Sequence, residues 1–126
     1  MQTLTNKQTG NRGEEAAVRF LKSRGYAILK RNYRTVHGEI DCVAQKDGAV
    51  IFVEVKTRRS RQYGTALEAV TSKQQTRICL TAALFLQERG MMDSPCRFDV
   101  LTVEARGGRA LCRHLQNAFD CSNAGL

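Results

Sequence analysis

The chain has 126 residues, of which 42% are hydrophobic and 25% are charged, a balance typical of one globular domain and not of a disordered segment. No apolar run approaches the ~18 residues of a membrane span, and residues 1–10 are polar, so we expect a cytoplasmic protein without a membrane partner. Twenty Lys and Arg against twelve Asp and Glu give a net charge of +8, which favours nucleic acid as the partner.

The first half of the chain is predicted to form one helix and three strands. Apolar residues at helical spacing predict a helix from about Asn11 to Arg24, with Asn11 as its N-cap and Gly25 as its stop. A strand from Tyr26 to Arg34 follows. Residues 38–56 predict two further strands joined by a tight turn at 46–48, because an Asp-Gly pair accepts positive φ at little cost.

The second half predicts a helix and two strands. The helix begins at Thr65 or Thr71, after a loop around Gly64, and ends at Arg89-Gly90. Strands are expected over residues 98–103 and 110–115, on either side of a Gly107-Gly108 turn. The order α-β-β-β-α-β-β predicts an α/β fold, with a mixed β-sheet flanked by helices, in a single domain over residues 1–126. We expect residues 1–10 and 121–126 to be loose tails.

The five cysteines do not form a recognisable metal or redox motif. Their number is odd, no CxxC pair occurs, and none stands at metal-ligand spacing from a histidine. Cys42, Cys79 and Cys112 stand among apolar neighbours, so we expect them to be small buried side chains with free thiols in a reducing compartment.

The third strand carries an acid and a base on one face. Side chains alternate along a strand, so Glu54 and Lys56 share one face while Val53 and Val55 share the other. Neighbouring residues 51–53 are apolar, which predicts an interior strand where an unpaired charge would be costly. A structural ion pair between Glu54 and Lys56 is the alternative to a functional role.

A second acid stands on the preceding strand. Alternation predicts that Asp41 faces away from Ile40 and Cys42, and pairing across the turn is able to bring its carboxylate beside Glu54. Phosphodiester hydrolysis needs an activated water and compensation for charge on the phosphoryl oxygens. Mg²⁺ or Mn²⁺ supplies both functions and typically takes one or two protein carboxylates.

These residues predict a metal-dependent phosphodiesterase centre. Asp41 and Glu54 would bind the ion, and a strand carbonyl such as that of Val55 would complete the protein's ligands. Lys56 would orient the attacking water or stabilise the developing negative charge. His37 and His114 are weaker candidates for acid-base roles, and Asp99 is predicted to pair with a nearby arginine.

Seven motifs along the chain resemble the YraN-type family of uncharacterised bacterial proteins, which is similar in fold to archaeal Holliday junction resolvases and other PD-(D/E)xK nucleases. The motifs are Gly13-Glu14 followed by Ala17 and Phe20-Leu21, Asn32-Tyr33-Arg34, Gly38-Glu39-Ile40-Asp41, Phe52 to Lys56 with Thr57-Arg58, Gly64, Ala69-Val70-Thr71, and Arg97-Phe98-Asp99-Val100. The resemblance implies a restriction-endonuclease-like fold and, as in resolvases, a possible homodimer.

The resemblance also implies roles for individual residues. Glu14 would join Asp41 and Glu54 around the metal, with Lys56 as the catalytic lysine; Glu15 is the rival for the helical position. Where the family usually has a lysine early in the second helix, this chain has Gln74. The residues expected to hold phosphates are Arg31, Arg34, Arg58, Arg59, Arg61, Lys73 and Gln74.

The sequence thus predicts a divalent-metal-dependent endodeoxyribonuclease that acts on DNA, with branched or damaged DNA as candidate substrates. The alternative is a non-catalytic nucleic-acid-binding module of the same fold. RNA is a further candidate substrate, because fold alone does not determine what a protein acts on.

Overall fold

The structure is a computed structural model that describes residues 6–58 and 70–122. Two helices and five strands follow one another in the predicted order, which is confirmed. They are α1 (Asn6–Ser23), β1 (Ala27–Thr35), β2 (Gly38–Lys46), β3 (Ala49–Arg58), α2 (Ser72–Glu88), β4 (Cys96–Arg106) and β5 (Arg109–Phe119).

The strands form one mixed sheet in the order β1-β2-β3-β4-β5. β3 and β4 are parallel, while the other neighbours are antiparallel. A parallel pair needs a crossover connection, which contains α2. β3 is the central strand, and residues 50–53 are fully buried. The predicted interior position of this strand is confirmed.

Left-handed residues form two of the hairpin turns. Asp47 has φ +52° and Gly48 has φ +80° between β2 and β3, and Gly107 and Gly108 have φ +52° and +78° between β4 and β5. Two consecutive positive φ angles match the twist of the flanking strands. Both turns lie where the sequence predicts them.

The first helix starts earlier than predicted. α1 begins at Asn6, so Asn11 lies inside the helix and part of the expected N-terminal tail is helical. The polar residues before Arg12 carry no apolar period, which is the signal that the prediction used. Gly25, at φ +87°, ends the helix as predicted, and the Tyr26 N–H donates to the Leu21 carbonyl at 3.0 Å.

The second helix begins at the later of its two candidate starts. Thr71 is the N-cap: its hydroxyl accepts from the Gln74 N–H at 3.1 Å, and the Gln74 side chain accepts from the Thr71 N–H at 3.1 Å. This reciprocal pair is a capping box. The helix ends at Glu88, next to the predicted Arg89-Gly90 stop.

The helices cover opposite faces of the sheet. Phe52 packs with Phe85 in the cluster below α2, whereas Val53 packs with Leu21 in the cluster below α1. Because neighbouring residues of β3 enter different clusters, the central strand is apolar on both faces. Polar groups on β3 therefore begin only at Glu54, where the strand leaves the core.

The expectation of a free thiol was wrong for Cys79. Cys79 of α2 and Cys121 form a disulfide across 42 residues of sequence. Such a pairing depends on the folded chain and is not visible in spacing alone. Cys121 is consequently anchored and does not belong to a loose tail, while residues 1–5 and 123–126 lie outside the described residues. Within the described ranges, neither helix is long and apolar enough to cross a membrane.

Candidate functional site

The site forms where β2 separates from β3. The last paired residues of these two strands are Cys42 and Val53. Asp41 and Glu54 are their neighbours on the unpaired side. The Asp41 carboxylate reaches across this gap and its Oδ2 accepts a hydrogen bond from the Val55 N–H at 2.8 Å. The side chain thereby takes the place of a backbone partner and is held beside the central strand.

The predicted alternation fails around Asp41. Ile40 packs on the α2 side of the sheet and Cys42 on the α1 side, so the expectation that these two residues share a face was wrong. Opposite Asp41, between the pairs Arg31–Cys42 and Tyr33–Ile40, β1 places Asn32 at φ +52°. A residue with positive φ interrupts the regular alternation of side chains along a strand. In both strands the side chains therefore switch faces at this position.

The two carboxylates line one small cavity. It has a volume of about 220 Å³ and lies between the ends of β2 and β3 and the first turns of α2. Its walls are formed by Gly38, Glu39, Asp41, Glu54, Gln74, Arg77 and Ile78. Asp41 and Glu54 therefore meet on the same side of the sheet.

Burial and mutual repulsion disfavour simultaneous ionisation of Asp41 and Glu54. Burial raises the pKa of Glu54 to about 8, and the negative charge of Asp41 adds to this effect. Burial also raises the pKa of Asp41, against the hydrogen bond from the Val55 N–H. Two close carboxylates in a buried site either share a proton or bind a cation.

Lys56 lies on the same face as Glu54, as predicted. Its Nζ is 3.7 Å from Glu54 Oε1, and the two side chains are 26% and 16% exposed. The structural ion pair that the sequence left as an alternative is therefore present. A single ammonium faces two carboxylates, however, and the raised pKa of both acids indicates that Lys56 does not offset them.

Glu14 approaches the site from the helix on the other face of the sheet. It does not line the cavity, but its pKa is raised by burial and then by the charges of Asp41 and Glu39. Glu15, its rival, is exposed and accepts from Arg31 at 2.8 Å. Within residues 6–58 and 70–122, no three or more His, Cys, Asp and Glu side chains form a group that could hold a metal ion.

The predicted phosphate-binding residues surround the site unevenly. The Arg34 side chain is 75% exposed, and its Nε lies 3.2 Å from Glu39 Oε1. Lys73 is exposed on the first turn of α2. Arg31 pairs with Glu15 on the α1 side. Arg58 ends β3, while Arg59 and Arg61 lie outside the described residues.

Gln74 has a local structural role that a lysine could not take. Its side-chain oxygen accepts from the Thr71 N–H in the capping box, and the same side chain lines the cavity. Lysine has no acceptor, so it would leave this N–H without its partner. The departure from the family pattern thus has a physical explanation at the start of α2.

Arg77 is a charged cavity residue that sequence reasoning missed. Arg77 stands one helical turn after Gln74 and lines the same cavity. Its spacing from Gln74 was the available signal, because residues three apart on a helix share a face. It adds an arginine to the α2 wall of the cavity.

A separate buried network surrounds Asp99 and confirms its predicted arginine partner. The fully buried carboxylate accepts from Arg97 Nε at 2.9 Å and from the Asn117 N–H at 2.9 Å, and lies 2.7 Å from His114 Nε2. Arg97 in turn donates to the Tyr26 hydroxyl at 2.7 Å. Burial opposes ionisation of Asp99, but these hydrogen bonds hold its pKa below the usual value. The network joins β4 to β5 and to the residue that precedes β1.

Comparison with known proteins identifies the family. Residues 13–103 match the model described as "Uncharacterised protein family UPF0102". A UPF0102 protein of Symbiobacterium thermophilum is 50% identical over 115 residues, covering 90% of this chain and 98% of its own length. A UPF0102 protein of Pelobacter propionicus is 46% identical over 118 residues, covering 91% and 84%.

The chain belongs to the UPF0102 family. This is the YraN-type family that the sequence motifs resemble, and the prediction is confirmed. The part of this UPF0102 protein that matches the family model contains Glu14, Asp41, Glu54 and Lys56. The carboxylate cavity therefore lies within the family domain.

Proposed function

We propose that this UPF0102 protein is a divalent-metal-dependent endonuclease that hydrolyses phosphodiester bonds in DNA. The observation that carries the proposal is the meeting of two largely but not fully buried carboxylates, Asp41 and Glu54, in one cavity beside Lys56. Buried acids are costly, so a site that holds two of them next to one amine is better suited to binding a cation than to stabilising the fold.

The donor set fits a small, hard cation. Mg²⁺ and Mn²⁺ prefer oxygen ligands, and Mg²⁺ is usually held by one or two carboxylates together with waters and substrate phosphates. Asp41 and Glu54 would hold the ion, with the Val55 carbonyl and Glu14 as further ligands. When bound, the ion supplies a water of lowered pKa and charge compensation for the phosphoryl oxygens.

The remaining polar residues would position the substrate. The Val55 N–H holds the Asp41 carboxylate in place at 2.8 Å. The Lys56 ammonium, next to Glu54, would stabilise negative charge on a phosphate oxygen. Gln74 and Arg77, on the α2 wall of the cavity, would contact a neighbouring phosphate by a hydrogen bond and by a charge-assisted hydrogen bond respectively.

The proposal is tested with duplex, single-stranded, flap and four-way DNA, each incubated with Mg²⁺ or Mn²⁺. We expect metal-dependent cleavage of at least one substrate, abolished by Glu54→Gln and by Lys56→Ala. Asp93→Asn, on the exposed turn before β4, makes the same carboxylate-to-amide change outside the cavity and should cleave normally. Absence of cleavage of every substrate would argue strongly against the proposal.

A non-catalytic nucleic-acid-binding module is the second candidate. It is favoured by the position of Glu14 outside the cavity, since the residues that the structure describes contain no group of three metal-binding side chains. This candidate predicts salt-dependent DNA binding that survives Asp41→Asn, together with no metal binding in titration calorimetry. Competition between matched DNA and RNA would identify the preferred nucleic acid in either case.

A further inference from the structure

A second concave surface runs along α1, on the face of the sheet opposite α2. Two adjoining cavities, of about 580 Å³ and about 440 Å³, lie between α1 and the β4–β5 hairpin. Both are lined by Ala16, Arg19 and Ala110, so they form one continuous surface, which we call the α1 groove. None of the carboxylates of the proposed metal site lines it.

The rim of the α1 groove is basic. Arg12 and Arg19 from α1, Arg24 from the turn after it and Arg109 from β5 contribute to it, and all four are exposed. Arg12 and Arg19 are two helical turns apart, which is about 10.5 Å along the axis. The acid on the groove wall, Glu15, is engaged by Arg31 at 2.8 Å. The groove thus presents repeated positive charge along its length.

The floor of the α1 groove is apolar. It is formed by small or aliphatic side chains, namely Ala16, Val103, Ala105 and Ala110, and Leu111 is 40% exposed beside them. A duplex presents mainly its phosphates to such a surface and would leave the floor uncovered. A single strand presents phosphates and unstacked bases together, which matches a basic rim over an apolar floor.

One end of the α1 groove adjoins residues that are next in sequence to those of the proposed metal site. This end is lined by Gly13, the neighbour of Glu14, and by Thr57, the neighbour of Lys56. These two residues are in close contact, because a Cβ added to Gly13 would overlap the Thr57 hydroxyl. Lys56 itself faces the α2 side of the sheet, so a strand leaving the groove would pass Glu14 and cross the end of β3 to reach the carboxylate cavity.

We infer that the α1 groove binds a single-stranded segment of nucleic acid that continues into the proposed cleavage site. The inference rests on the proposed function for the cleavage step, and names its substrate class: nucleic acid with a single-stranded arm, such as a flap. Arginines on the rim contact the phosphates, while the apolar floor contacts the bases. Binding of the arm itself needs neither the metal nor cleavage.

The test measures binding of the intact protein without divalent cations, by fluorescence anisotropy. The probes are a labelled oligothymidylate and a duplex of the same length. The double variant Arg19→Gln/Arg109→Gln should bind the single strand at least about tenfold more weakly, and its salt slope should fall by about 1.4, corresponding to two lost phosphate contacts. Binding of the duplex should change much less.

The matched control is Arg89→Gln, an exposed arginine that caps α2 away from the groove. It should bind the single strand as the wild type does. Equal weakening by Arg89→Gln, or unchanged binding by the double variant, would overturn the inference and indicate general charge attraction. Displacement of the oligonucleotide by polyglutamate at equal charge concentration would also overturn the inference.

A second variant tests the floor. Ala110→Glu places a negative charge on an exposed edge-strand residue, so the fold should be kept, as an unchanged circular dichroism spectrum would show. Binding of the single strand should be lost. Retained binding would contradict contact between the bases and this floor. Because no metal is present, these results are independent of cleavage: an inactive protein that passes them refutes the proposed endonuclease activity alone.

Discussion

Replacing Glu54 by glutamine should stabilise the metal-free protein at alkaline pH. Burial and the charge of Asp41 raise the pKa of Glu54 from 4.5 to about 8. Between these two values the unfolded chain has released its proton while the folded chain still holds it. The contribution of Glu54 to stability is therefore expected to be full below pH 4.5 and to be lost progressively as the pH rises towards 8.

The size of the effect follows from the same two values. At about 1.36 kcal/mol per pH unit, the interval from 4.5 to about 8 corresponds to a loss of at most about 5 kcal/mol. Because Asp41 shares the proton with Glu54, we expect Glu54→Gln to exceed the wild type by about 2–5 kcal/mol at pH 8. Below pH 4.5 both side chains are neutral and the difference should disappear.

The assay is urea unfolding in EDTA at both ends of this interval, with the free energy of unfolding compared between the variants. Asp93→Asn removes one carboxylate from an exposed turn and should show no pH-dependent gain. A wild-type stability that is flat or rising from pH 4.5 to 8 would refute the reasoning. Added Mn²⁺ should restore wild-type stability at the alkaline end and leave Glu54→Gln unaffected.

Three further predictions concern the scaffold. Asp99→Ala should lower the free energy of unfolding by about 3–5 kcal/mol, because it leaves the partly buried Arg97 guanidinium without its carboxylate partner. Urea unfolding measures this loss. A loss below about 1 kcal/mol would contradict a structural role for the network. Gly13→Ala should cost about 1–3 kcal/mol through overlap with the Thr57 hydroxyl, and Thr57→Ala in the same chain should recover most of that loss. Reduction of the disulfide between Cys79 and Cys121 should cost about 2–4 kcal/mol, and a Cys79→Ala/Cys121→Ala variant should then be insensitive to dithiothreitol.

Local rules explain how much of the fold could be predicted from sequence. Asp47 and Gly48 adopt the positive φ that a two-residue hairpin turn needs. Glu54 and Lys56 share a face because strands alternate with a period of two, and their ion pair follows from that spacing. The motifs that carry the family resemblance are likewise contiguous stretches of chain, so the family was identified correctly.

The residues alone therefore determined the order of the elements, the turns, the interior strand and the acid and amine at its end. The tertiary structure decided how these parts meet. Asn32 on the neighbouring strand changes the phase around Asp41, α1 carries Glu14 towards the site from the other face, and α1 with β5 builds the basic groove. Each of these depends on contacts between segments distant in sequence, and local periodicity contains no information about such contacts.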